Sequence, residues 1–170
     1  MKKIIVLLMI AALALSTAGL AETYKCDDLH FEYDDTAFEI TMDDHTDDED
    51  LIILSGKNEA WGDTYVKIHL QDLDDNDRFP TLDDFVDMGD TVVTQGDWNG
   101  YKDVFMYSYD TEDDTTVSLF LAPVRDDDDD DDIEDILTVE IGISHIEDDE
   151  TAMGRDDLIS AILDSLVVDD

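Results

Sequence analysis

The chain is poor in basic residues, cysteine and proline. Its 170 residues include 9 Lys and Arg against 48 Asp and Glu, which gives a formal net charge of −39. Because so negative a field repels polyphosphate backbones and anionic lipid headgroups, the composition excludes nucleic-acid binding and disfavours docking on anionic membranes. A single cysteine excludes an internal disulfide. The fold therefore depends on an apolar core, which a chain of this length can build.

Familiar catalytic motifs are also missing. The sequence contains no G-x-S-x-G, no H-E-x-x-H and no glycine-rich phosphate loop, the patterns that place a nucleophile, a metal or a phosphate. Paired acids occur throughout the chain, so pairing alone identifies no acid–base couple. We therefore expect a non-enzymatic protein. An enzyme would need a pocket in which His69 or His145 meets a buried carboxylate.

The N-terminus has the pattern of a secretory signal peptide over residues 1–21. Two lysines precede an apolar run over Ile4–Leu15, and small residues follow up to Ala21. About 20 apolar residues are needed to span a bilayer, so this run is too short for a membrane anchor. We expect secretion to the exterior or the periplasm, with cleavage behind Ala18 or Ala21. Residues 22–170 then form a single acidic domain that is not inserted in a membrane.

Alternating apolar residues predict that this domain is rich in β-strands. The Asn99-Gly100 pair predicts a tight hairpin, because both residues tolerate positive φ. The strands that follow this turn are expected to form an antiparallel meander. The predicted strands cover Leu29–Tyr33, Ala37–Met42, Leu51–Leu54, Thr64–Gln71, Thr91–Gln95, Tyr101–Tyr109, Thr115–Val124 and Ile136–Ile146.

Two helices are predicted. Thr81 can cap a short helix that closes at Gly89, and the acids after Thr81 suit a helix N-terminus. A longer helix over Asp149–Leu166 has apolar residues at three-and-four spacing, and a short Val167-Val168 strand follows it.

The strand over Tyr101–Tyr109 is apolar on both sides. Its three tyrosines and Phe105 share one side, while Val104 and Met106 lie on the other. Such a strand is expected at the centre of a sheet with helices on both faces. The predicted fold class is therefore α+β: an antiparallel sheet of about six or seven strands flanked by helices, an α/β/α sandwich. A C-terminal amphipathic helix and a short strand complete it.

The layout of residues 29–168 resembles the Mog1/PsbP-like α/β/α sandwich of many small secreted bacterial proteins. The closing segment Leu158–Val168, LISAILDSLVV, carries most of this resemblance, because a helix there runs into a short strand after a long antiparallel sheet. The resemblance implies a binding or assembly role and transfers no active site. A cystatin-like or other α+β sheet gives much the same pattern.

One segment resembles a calcium-binding loop of the EF-hand or dockerin type. Oxygen-bearing side chains fall at loop positions 1, 3, 5 and 12, which are Asp72, Asp74, Asn76 and Asp83. Position 6 is Asp77 where such loops carry glycine, and a predicted strand precedes the segment. A solvated turn is the competing interpretation. Calcium is thus the one cofactor that the sequence suggests.

Other clusters point to cations less directly. The seven aspartates of Asp126–Asp132 are expected to bind divalent cations loosely from an extended, solvated loop. The acidic stretch Asp43–Asp50 contains His45, so it could hold a transition metal, although a solvated polar loop between strands is the favoured interpretation. Cys26 and His30 could share a metal if their segment were helical, but it reads as a strand.

The acids are spread over nearly every predicted turn and helix face. After signal cleavage the net charge would be −41. Such an even distribution is typical of proteins that work in high salt, where cations screen the repulsion between carboxylates. The sequence predicts a secreted, strongly acidic, non-enzymatic binding or assembly domain adapted to high salt, with an unidentified protein or small-molecule partner. The alternative is a calcium-binding or cation-buffering secreted protein.

Overall fold

The computed structural model describes residues 21–26, 28–73, 78–85, 92–125 and 133–169. Within these ranges the chain forms ten strands, one α-helix and two short 3₁₀ segments, Glu59–Trp61 and Leu82–Phe85. The strands are β1 Ala21–Lys25, β2 Leu29–Asp34, β3 Phe38–His45, β4 Glu49–Gly56, β5 Tyr65–Asp72, β6 Thr94–Trp98, β7 Tyr101–Asp110, β8 Thr115–Arg125, β9 Ile133–Ser144 and β10 Val167–Val168, and the helix is α1 Asp149–Ser165.

Two antiparallel sheets make up the body of the fold. The larger sheet has seven strands in the order β3-β4-β5-β9-β8-β7-β6, and the smaller has three in the order β1-β2-β10. Every pairing is antiparallel. The predicted antiparallel sheet of six or seven strands is confirmed. The predicted meander is confirmed too, because β7, β8 and β9 are neighbours in the sheet.

The β6–β7 turn forms as the Asn-Gly pair predicts. Asn99 has φ 47° and Gly100 has φ 88°, values that a tight hairpin requires and that these two residues adopt at little cost. The Asn99 amide also donates hydrogen bonds to the carbonyls of Leu163 and Leu166, at 2.8 and 3.0 Å. The hairpin tip therefore anchors the C-terminal end of α1.

Helix α1 begins where capping chemistry predicts and packs by its predicted face. The side chain of Asp148 accepts a hydrogen bond from the Thr151 amide at 2.8 Å, which satisfies a free N–H of the first turn. Ile159, Ile162 and Leu166 are buried in the core. The short strand predicted after the helix is β10, which pairs with β2.

The core lies on one face of the seven-stranded sheet, here called the inner face. Alternate residues of its central strands point into this core, for example Val66, Ile68 and Leu70 of β5. Apolar residues of β2 and α1 complete the same cluster. The smaller sheet and the helix thus cover the inner face together, which makes the fold α+β.

The opposite, outer face differs from the sequence prediction. A helical layer was expected on both faces, yet among the described residues α1 is the one α-helix. Of the helix predicted from Thr81, the described part is the 3₁₀ segment Leu82–Phe85. Asp84 accepts hydrogen bonds from the Thr81 amide and hydroxyl, at 2.6 and 2.8 Å, as in one half of a capping box. The second helical layer is therefore not established.

The prediction for β7 was wrong in two respects. This strand is second from the edge of the sheet rather than central. Tyr101 also lies on the opposite side from Phe105, because the β6–β7 register shifts between Gly96 and Trp98, where Asp103 has φ 60°. A bulge of this kind inserts one residue and reverses the alternation beyond it.

The predicted signal peptide falls almost entirely on residues 1–20, which lie outside the described residues. Ala21 opens strand β1 and pairs with Asp34. Among the described residues, no helix combines the length and the apolar character needed to cross a bilayer.

Candidate metal centre

The predicted calcium loop is only partly within the described residues. Asp72 is the last residue of β5, and Asp83 lies exposed in the 3₁₀ segment. Asp74 and Asn76 lie outside the described residues, as does the run Asp126–Asp132. The calcium site at these four positions therefore stays a prediction.

Asp72 has a carboxyl partner on the neighbouring strand. It pairs directly with Asp135 of β9, and the two side chains share a hydrogen bond. Burial, this hydrogen bond and the charges of Asp72, Glu134 and Asp28 raise the pKa of Asp135 to about 6. We call Asp72 and Asp135 the acid pair.

A different kind of cluster lines a cleft of about 380 Å³. Its central residues are Cys26, which follows β1, His45, which ends β3, and Asp50, at the start of β4. Asp43 and Tyr24 also line the cleft. We call this group of five residues the thiol cleft.

The β3–β4 hairpin brings three of these residues onto the inner face. His45 and Asp50 are paired directly beside the turn, and Asp43 lies two residues before His45, so all three side chains point to the same side. Thr46 organises the turn, because its hydroxyl accepts hydrogen bonds from the amides of Asp48 and Glu49, at 3.3 and 3.0 Å.

Asp50 lies at the centre of the cluster and is 7% exposed. One of its oxygens lies 2.6 Å from Nδ1 of His45, and the other accepts a hydrogen bond from the Cys26 thiol at 3.3 Å. A buried carboxylate must be compensated by donors or charge. Here an imidazole ring and a thiol supply that compensation.

The far side of the His45 ring is held by a second carboxylate. Nε2 of His45 lies 2.7 Å from an oxygen of Asp43, and the Tyr24 hydroxyl donates to the same oxygen at 2.5 Å. The Tyr24 ring stacks on Phe31 at 4.9 Å between centroids, which fixes its position. The hydrogen bond to Asp50, with that to Asp43, raises the pKa of His45 against the opposing effect of burial. The imidazolium form is therefore favoured.

The order of these groups argues against nucleophilic catalysis by Cys26. In a Cys–His couple the imidazole takes the proton of the thiol, but here Asp50 lies between the thiol and the ring. Burial and the contact with Asp50 raise the pKa of the Cys26 thiol, which keeps it protonated. An activated thiolate requires the opposite shift.

The same atoms are suitably placed for a metal ion. The Cys26 sulfur, a His45 ring nitrogen and an Asp50 oxygen all lie within 4.8 Å of one another. Typical bonds from zinc to sulfur, nitrogen and oxygen ligands are about 2.0–2.3 Å. One ion could therefore contact all three atoms after small side-chain movements.

Sequence reasoning found half of this site. It singled out the acidic stretch around His45 as a potential transition-metal binder, but the solvated-loop interpretation misses that Asp50 is buried. It disfavoured a metal shared by Cys26 and His30 because their segment reads as a strand; His30 lies in strand β2, and its Nδ1 lies 3.1 Å from Asp169. No local pattern connects Cys26 to Asp50, which is 24 residues away.

Comparison of the chain with models of known protein families and with curated proteins gives no match. The function is therefore argued from the geometry of this chain alone.

Proposed function

We propose that the protein is a secreted, strongly acidic, non-enzymatic binding domain adapted to high salt, and that its ligand is a divalent cation. The observation that carries this proposal is Asp50. It is the one buried carboxylate among the described residues, and it lies in an open cleft between a thiol and an imidazole ring. Protons now occupy the positions on these groups that a cation would take.

The distribution of charge supports a saline environment. The other described Asp and Glu side chains are exposed or half-buried, and the core cluster is apolar. Raising the salt concentration from 0.1 M to 1 M shortens the Debye length from about 10 Å to about 3 Å, which removes most repulsion between surface carboxylates. In dilute buffer the same charge opposes the compact state.

An enzyme was expected to place His69 or His145 beside a buried carboxylate, and the described surroundings of these two histidines do not meet that requirement. His69 contacts Glu49 at 3.0 Å, but the Glu49 side chain is 46% exposed. His145 is itself exposed. With the protonated Cys26 thiol, these environments support binding rather than catalysis.

The Mog1/PsbP-like α/β/α arrangement is part of the proposal. Helix α1 covers the inner face, and the 3₁₀ segment Leu82–Phe85 supports a second layer on the outer face. There the Phe85 ring contacts the rings of Phe105 and Tyr107, with centroids 5.0 and 6.1 Å apart. An experimental structure with an α-helix on this face would establish the sandwich, and an uncovered outer face would exclude it.

Calcium binding around Asp72 is the second candidate function. The acid pair favours it, because a hard cation that prefers carboxylate oxygen ligands could bind between the directly paired Asp72 and Asp135. This alternative needs no contribution from the thiol cleft.

Salt dependence and cation binding are tested together on the secreted protein. We expect the urea midpoint to rise from dilute buffer to molar NaCl, because screening favours the folded state. We also expect calorimetry in molar NaCl to detect 1:1 binding of a divalent cation that Asp50→Asn weakens and Asp47→Asn, in the exposed turn, does not. Equal urea midpoints contradict the salt adaptation. Diffuse heats for every cation contradict the binding function, and a calcium signal that Asp72→Asn removes supports the second candidate instead.

A further inference from the structure

We propose that the thiol cleft binds a thiophilic divalent transition metal of the Zn²⁺ class through the Cys26 sulfur, Nδ1 of His45 and a carboxylate oxygen of Asp50. This inference rests on the proposed function, since it names the class of cation. It differs from the calcium expectation in both the ligand set and the place in the fold.

The chemistry of the three donors selects the class of metal. Calcium takes six to eight oxygen ligands and magnesium keeps an octahedral shell of oxygens, so neither gains from a thiol or an imidazole. A sulfur, a nitrogen and a carboxylate oxygen are the ligand types that Zn²⁺ combines in proteins. Zn²⁺ and its spectroscopic substitute Co²⁺ are therefore the expected occupants.

The surroundings of His45 match those of a metal-bound histidine. Such a residue usually binds the metal with one nitrogen and donates the other N–H to a carboxylate, which fixes the ring orientation. Here Nδ1 lies 2.6 Å from Asp50, and Nε2 lies 2.7 Å from Asp43. Tyr24 in turn donates to Asp43. A solvated loop would not need this outer layer of contacts.

The site joins the two sheets of the fold. Cys26 follows β1 of the smaller sheet, whereas His45 and Asp50 belong to the larger sheet. A bound ion would replace the thiol proton and the proton on Nδ1, both released to solvent, so that the charge of the site is unchanged. Three protein ligands would leave one tetrahedral position for a water molecule.

The test is a titration of the secreted protein with Co²⁺ and then Zn²⁺ in molar NaCl. We expect one Co²⁺ per chain, with the sulfur-to-cobalt charge-transfer absorption of a thiolate ligand, and displacement of Co²⁺ by Zn²⁺ but not by Ca²⁺. Cys26→Ser should abolish the charge-transfer band. His45→Gln and Asp50→Asn should weaken binding by more than about 100-fold, since loss of an outer partner alone costs roughly 10–100-fold.

Asp43→Asn tests the outer layer and should weaken binding by about 10-fold or more. His30→Gln is the matched control, because His30 is the other histidine near Cys26 in sequence, and it should leave affinity unchanged. Circular dichroism of each variant confirms that it is folded. Binding of Co²⁺ to the unmodified protein without a charge-transfer band would overturn the ligand assignment.

Two further outcomes separate this inference from the proposed function. If Ca²⁺ binds as tightly as Zn²⁺ and Asp50→Asn weakens both, the metal class is wrong and the cation-binding function stands. If no divalent cation responds to Asp50→Asn, both proposals fail.

Discussion

The thiol cleft and the acid pair lie at the same end of the seven-stranded sheet, but they balance their charge in different ways. Asp50 pairs across the strands with Leu70, and Asp72 follows Leu70 by two residues on the same side of β5. Asp72 in turn pairs with Asp135. The apolar inner face therefore ends in three carboxyl groups from three adjacent strands. Asp50 is compensated by an imidazole and a thiol, whereas burial beside Asp72 raises the pKa of Asp135 to about 6.

This difference shows what scarcity of positive charge does to a fold. With 9 basic residues for 48 acids, most carboxylates must rely on solvent and salt. Where burial removes the solvent, a carboxyl group needs either a proton or hydrogen-bond donors. At the acid pair, burial raises the pKa of Asp135. At the thiol cleft, the donors to Asp50 come from His45 and Cys26, and these side chains are also metal ligands, which is why we place the metal site there.

The largest expected effect is at Asp50. Asp50→Ala leaves Nδ1 of His45 without its acceptor and removes one of the two acceptors of the Cys26 thiol, and should lower the free energy of unfolding by about 2–3 kcal/mol. Asp50→Asn keeps an acceptor and should lose less. Urea unfolding in molar NaCl measures both variants. Asp47→Ala in the exposed turn is the control, and an equal loss in Asp47→Ala and Asp50→Ala would show that Asp50 has no special role.

At the acid pair we expect a substitution to raise the free energy of unfolding rather than lower it. The pKa of Asp135 is about 6 in the folded protein and about 3.9 when unfolded. Its contribution to stability is therefore complete below about pH 4 and is lost as the pH rises through about 6. Asp135→Asn stays neutral and should stabilise the protein by about 1 kcal/mol at pH 8, after allowance for partial exposure.

The measurement for the acid pair is urea unfolding of Asp135→Asn and the unmodified protein at pH 4 and pH 8. We expect the two proteins to differ at pH 8 and to converge at pH 4. Glu134→Gln removes a neighbouring charge but leaves the Asp135 carboxyl in place, and should show a smaller pH dependence. A difference that is the same at both pH values would contradict the raised pKa of Asp135.

The smallest expected effect is at His45 in the metal-free protein. The folded pKa of His45 is raised above its ordinary value of about 6.5, so its contribution to stability is complete below that value and is lost as the pH rises through the folded pKa. His45→Gln should therefore destabilise the protein more at pH 6 than at pH 9. Since the side chain is 38% exposed, the difference should stay below about 1 kcal/mol.

The same urea experiment with added EDTA measures this effect. His145→Gln, an exposed histidine at the end of β9, is the control and should show no such difference. A larger loss at pH 9 than at pH 6 would mean that Asp50 and Asp43 do not favour the imidazolium.

Local patterns predicted most of the strands because side-chain alternation depends only on neighbouring residues. The Asn99-Gly100 turn and the Asp148 cap belong to this group, since their geometry is set within a few residues. The bulge at Asp103 was not predictable. It arises from the pairing of β7 with β6, and one inserted residue moved Tyr101 to the other face of the sheet.

The candidate site likewise depends partly on local sequence and partly on tertiary packing. The sequence indicated a loop between two strands at this place, and the β3–β4 hairpin that forms there pairs His45 with Asp50. The approach of Cys26 to that pair depends on how the smaller sheet lies against the larger one, and no spacing along the chain encodes it.

The sequence by itself determined the charge of this protein, its antiparallel strands, its buried helix face and the functions that its acidity excludes. These properties follow from composition and from periods of two and 3.6 residues. Only the tertiary structure decided which acid is buried, which histidine compensates it and which strand brings the single thiol to them. These are contacts between distant segments, and they form only when the packing of two sheets sets their register.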